Sequence, residues 1–80
     1  MGFLFAVDAE KKEVIVSESQ RGSNKIDFIE RISRDDNPVL FDAVQTLTRI
    51  TKAPEFDGVL FKSMNKVCQL VYNKHVESIQ

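Results

Sequence analysis

Eighty residues make one small domain, and 42% hydrophobic with 29% charged side chains is the balance of a chain that folds. Eleven basic against twelve acidic side chains leave a formal net charge of −1, so no global field draws the chain to nucleic acid or to an anionic membrane. Cys68 is the only cysteine, which excludes an intrachain disulfide and fits a reducing, cytoplasmic setting.

The first residues are apolar, but Asp8 interrupts them before the 7–15 or so apolar residues of a secretory signal are reached. Gly2 invites myristoylation, yet Ala6 stands where that motif wants Ser or Thr. No run approaches the ~20 apolar residues of a membrane span. The expectation is a single domain over residues 1–80, without a membrane partner.

"FLFAV" (residues 3–7) and "EVIVS" (residues 13–17) are rich in β-branched and aromatic residues, and "DAEKK" between them has the length of a hairpin connection. They predict an antiparallel β-hairpin. Phe3, Phe5 and Val7 share one face of the first strand; Leu4 and Ala6 share the other. Two strands alone are marginal in water, so the hairpin must rest on helices. Its open edge is a template for pairing with another chain, and a homodimer through that edge, with Phe5 as a contact, is the expected use.

"SESQRGSN" reads as a loop. Asn24 then resembles an N-cap, with Asp27 three residues on imitating a capping box, and predicts a helix over 25–34. Ile26, Ile29 and Ile32 fall on one side of it, with Phe28 at the margin. Asp27 with Arg31, and Glu30 with Arg34, have the acid-first i to i+4 spacing that supports a helix by about 0.3 kcal/mol a pair.

"RDDNP" separates this segment from the next. Asn37 can cap a helix whose first residue is Pro38, and Asp35 and Asp36 place negative charge near its positive end. That helix is expected over 38–51, with Leu40, Ala43, Val44, Leu47 and Ile50 as its buried stripe. At about 100° per residue Phe41 lies off the stripe, which makes it a candidate anchor for a partner.

"KAPEF" interrupts the helical pattern at Pro54. A third helix follows over about 56–75, starting from Asp57 or Ala53, with "GVLF" as a competing strand. Unbroken apolar periodicity through Met64, Val67 and Val71 favours the helix. The short connection predicts an antiparallel helical hairpin. On a wheel, Leu60, Phe61, Met64, Val67, Cys68, Val71 and Tyr72 form an apolar arc about 140° wide. Lys62, Asn65, Lys66, Gln69 and Asn73 form a polar arc opposite. Those residue types contact phosphates and base edges, but the arc has no arginine, the commonest specific partner of guanine. A solvated helix face is the first expectation for this arc, and of its two active roles docking on a protein is preferred to binding nucleic acid.

Catalysis has little to build on. Cys68 and His75 are separated by about 10 Å along a helix, too far for a nucleophile and its base. One Cys and one His do not close a zinc site, and Asp35, Asp36 and Asp42 lack the alternation of a calcium loop. Cys68 is expected to be a small buried residue, and His75 to complement the end of its helix. With three glycines, phosphate-loop, dinucleotide and nucleophile-elbow motifs are absent.

The sequence thus predicts an α+β fold, a β-hairpin on three helices. It predicts a small non-enzymatic binding protein, without metal or cofactor, that docks on a protein as a regulator or inhibitor. The alternative is a nucleic-acid-binding regulator. The candidate contacts are Phe5, Phe41, Lys62, Asn65, Lys66, Gln69 and Asn73.

Overall fold

The structure, a computed structural model, describes residues 2–19, 22 and 24–79. Strands β1 (Gly2–Asp8), β2 (Glu13–Ser19) and β3 (Ile26–Ser33) precede helices α1 (Pro38–Lys52) and α2 (Gly58–Ser78). The strands form one antiparallel sheet in the order β1-β2-β3, and both helices pack on one side of it. The fold is α+β as expected, with three strands and two helices in place of two and three.

The hairpin is present where the sequence puts it. Phe5 pairs with Val16 and Val7 with Val14. Asp8 Oδ1 accepts the Lys11 backbone N–H at 3.1 Å, and Lys12 takes a left-handed φ of 54° to close the turn.

The helix expected over 25–34 is instead strand β3. A helix of ten residues is marginal in water unless tertiary packing holds it. Ile26, Phe28, Ile29 and Ile32 are β-branched or aromatic, and as a strand they gain a full ladder against β2. The apparent period of three comes from a bulge. Val16 pairs with Glu30 and Ser17 with Phe28, which leaves Ile29 as the extra residue and reverses the alternation there. The i to i+4 ion pairs expected on a helix have no helix to stand on. Arg31 instead reaches across the sheet to Asp8 and Glu13, at 3.1 Å each.

Helix α1 begins as predicted. The Asn37 side chain accepts the Leu40 N–H at 3.0 Å, and Pro38 occupies the first turn, where a missing N–H costs nothing. Of the two possible starts for the last helix, Asp57 is the cap; its Oδ1 accepts from Val59 N at 3.0 Å and Leu60 N at 3.1 Å. The helix runs on to Ser78, beyond the predicted end at 75. The helices are antiparallel neighbours, and Asn37 Nδ2 meets His75 Nδ1 at 3.0 Å.

The core joins Val14, Val16 and Ile32 of the sheet to Leu40, Phe41, Ala43, Val44 and Leu47 of α1 and to Cys68 and Tyr72 of α2. Phe41 is therefore not a docking anchor; only 4% of it is exposed. Helix α1 lies against the sheet on one side and α2 on another, so its buried arc is wider than a single stripe. The Arg34 guanidinium carbon lies 5.9 Å from the Phe41 ring centroid.

Candidate functional site

Alternation along the strands sends Phe3, Phe5, Val7, Val14, Val16, Glu30 and Ile32 toward the helices. The opposite set, Leu4, Ala6, Ile15, Ser17, Ser19, Ile26, Phe28 and Arg31, lies on the outer face, where no element of the described chain covers it. That face is unusually apolar for one left in water. Leu4 is 44% exposed, Phe28 56% and Ile26 63%, and the bulged Ile29 is exposed beside them.

The pairing register gives the face its relief. Ser17 sits between Leu4 and Phe28, and Ser19 between Gly2 and Ile26. The trough is deepest in the Leu4–Ser17–Phe28 row; in the next row Ile15 rises between Ala6 and Arg31 and closes it, and at the other end Gly2 leaves Ile26 as the only large side chain. Neighbouring strands are about 4.8 Å apart, so Leu4 and Phe28 stand roughly 10 Å apart. A helix, about 10–12 Å across with its side chains, covers that width from above.

One end of the trough is polar. Arg31 holds Asp8 Oδ2 and Glu13 Oε1 together. The Asp8 carboxyl is held below its ordinary range, first by the Lys11 N–H and then by Arg31; Asp8 and Glu13 in turn push the Arg31 guanidinium up. Beside the trough, among the described residues β1 pairs only with β2, which leaves its other edge unpaired.

Phe5 is half-buried on the inner face, its ring centroid 5.8 Å from that of Tyr72 in an edge-on contact. On the outer face of β1 the exposed side chains are Leu4 and Ala6, not Phe5. Lys62, Lys66 and Asn73 are exposed on α2, while Asn65 and Gln69 are half-buried. They share one flank of the helix, as expected.

The apolar arc of α2 does not act as a unit. Cys68 and Tyr72 are buried, Phe61, Met64 and Val71 are half-buried, and Leu60, Val67 and Leu70 are exposed. The sequence reading missed both exposed apolar sets. The alternation within "IDFIERI" carries the first, once read as a strand. The second is carried by the excess of apolar residues on α2 over what one buried side can use.

The remaining reactive groups are tied into the fold. Burial pushes the Cys68 thiol up to about 11, the reverse of what an activated nucleophile requires. The Tyr72 hydroxyl donates to Glu30 Oε2 at 2.7 Å, and burial together with that carboxylate pushes the phenol up to about 12. Among the described residues no three His, Cys, Asp or Glu side chains gather as metal ligands, and no helix is long and apolar enough to cross a membrane. Compared with known protein families, curated proteins and solved structures, the chain matches none.

Proposed function

We propose that this chain is a small non-enzymatic docking module, a cytoplasmic regulator or inhibitor that seats an amphipathic helix of a protein partner in the trough of its sheet. One observation carries the reading: Leu4 and Phe28 stand exposed on either side of Ser17, on an outer face that no element of the described chain covers. A sheet with apolar side chains on both faces is stable in water when both are packed, and a helix is the element that fits this relief. Recognition of this kind reads apolar side chains at i, i+3, i+4 and i+7 of the bound helix. The unpaired edge of β1 suits an extended segment of the partner flanking that helix. Nucleic-acid binding by the α2 flank is the weaker reading, because Lys62 and Lys66 supply the charge without an arginine.

A display library of helical peptides panned against the chain tests this. The selected peptides are expected to carry apolar residues at helical spacing. They should bind at least about tenfold less tightly to Phe28→Asp, the loss that truncating an interface anchor brings. Ser17→Arg, which fills the floor, should have the same effect. Binders indifferent to both changes would set the trough aside.

A further inference from the structure

We infer that a second copy of this chain docks on the outward stripe of α2, the two helices running antiparallel about a two-fold axis. This goes beyond the trough and does not depend on it, since the stripe belongs to the helical layer and the trough to the other face of the sheet.

Helix α2 is 21 residues long and buries only Cys68 and Tyr72 in its own core. Turning at about 100° per residue, Leu60, Ser63, Val67, Leu70 and Lys74 line up on the side facing away from those two. Their spacing alternates three and four, the period of a helix that meets another helix along a seam. Leu60 is 51% exposed, Val67 43% and Leu70 59%. A solvated helix face has no use for that pattern.

The seam is self-complementary. With the axis between Ser63 and Val67, Leu60 of one copy lies over Leu70 of the other, and the small Ser63 lies over Val67. Every layer then combines two large side chains or one small with one larger, and the fit repeats on both sides of the axis as a two-fold contact requires. Charge fits in the same register. Carried past the start of α2, this register sets Lys74 near Phe56 of the second copy, with the carboxylates of Glu55 and Asp57 on either side of it in sequence. Neither Glu55 nor Lys74 has an ion partner among the described residues. The antiparallel helix dipoles add to this. Lys66 of both copies flanks the axis, and its long stem leaves the ammonium in water.

Size sets how much of the helix surface must take part. The helix is about 31 Å long and one helix diameter wide. Half-buried Met64 and Val71 on one side and exposed Val59 on the other extend the apolar surface. A standard interface takes roughly 800 Å² from each partner, about a seventh of the 5856 Å² this chain exposes. The stripe itself, about 31 by 10–12 Å, supplies less than half of that, so these borders take part in the contact. Paired this way, the two sheets face outward, and the dimer presents two troughs.

Sedimentation equilibrium of the full chain, from micromolar to hundreds of micromolar, tests the inference. The expected result is a reversible monomer–dimer equilibrium whose Kd rises at least about tenfold in Leu70→Glu, with the far-ultraviolet circular dichroism unchanged. Glu55→Lys and Lys74→Glu should each weaken the dimer, and the two together should restore it. That rescue decides the matter even if Leu70→Glu fails to fold. A wild-type monomer throughout the range would overturn the inference. So would a dimer broken by Phe5→Lys but not by Leu70→Glu, or charge reversals that do not rescue one another.

Discussion

The Tyr72 hydroxyl donates to Glu30 Oε2 at 2.7 Å, tying the last helix to the third strand, 42 residues away in sequence. The same ring packs edge-on against Phe3 and Phe5, with centroids 5.1 and 5.8 Å away. One side chain thus joins α2 to both outer strands of the sheet. Losing the hydrogen bond to a charged, half-buried acceptor costs about 1–2 kcal/mol. Tyr72→Phe should lower stability by that amount in urea denaturation and leave the fold intact. Glu30→Gln should cost less, because the amide oxygen still accepts.

The same residue gives the fold an alkaline limit. Its phenol titrates near 12 in the folded chain against an ordinary value of 10.0, and the Cys68 thiol near 11 against 9.0. A pKa raised by folding contributes stability that is complete below the unfolded value and is lost as pH rises to the folded one. Stability should therefore fall between pH 9 and 12. Cys68→Ala should remove the part between 9 and 11, and Tyr72→Phe the part between 10 and 12. Chemical denaturation along a pH series, read as slopes, checks both signs.

Phe41 and Phe28 should behave oppositely. Phe41→Ala opens a cavity in the core and should cost about 3–5 kcal/mol. Phe28, at 56% exposure, has little packing to lose. Phe28→Ala should change stability by no more than about 0.5 kcal/mol, as surface substitutions do. Thermal unfolding of the two variants separates a core residue from a surface one.

Arg31→Ala should let the Asp8 carboxyl titrate closer to its ordinary 3.8 without fully reaching it. The larger cause of the lowering is the Lys11 N–H, which the substitution leaves in place. A carbon-detected NMR titration of Asp8 reads this directly. Complete return to the ordinary value would mean that the turn, too, depends on Arg31.

How much of this was legible before folding depended on the signal used. Caps and turns were legible at Asn37 with Pro38, at Asp57 and in the connection between β1 and β2, but the capping-box pattern of Asn24 and Asp27 leads into a strand. The third strand was not legible because Ile26, Ile29 and Ile32 imitate a helical period, and the bulge at Ile29 that explains the spacing exists only when β2 is paired beside it. Phe41 was misplaced because one helix was assigned one buried stripe, whereas α1 is covered from two directions. Two of the five residues grouped as the polar flank of α2, Asn65 and Gln69, are half-buried, and the exposed stripe beside them went unseen. Apolar residues on a helix wheel do not announce whether their own chain covers them.

The docking claim is tested most directly by methyl NMR of the chain titrated with a helical peptide selected against it. The methyl groups of Leu4, Ile15, Ile26 and Ile29 should shift together, while those of Leu40, Val44 and Leu47 in the core stay in place. Shifts confined to α2, or none on the outer face of the sheet, would contradict a partner helix seated between β1 and β3.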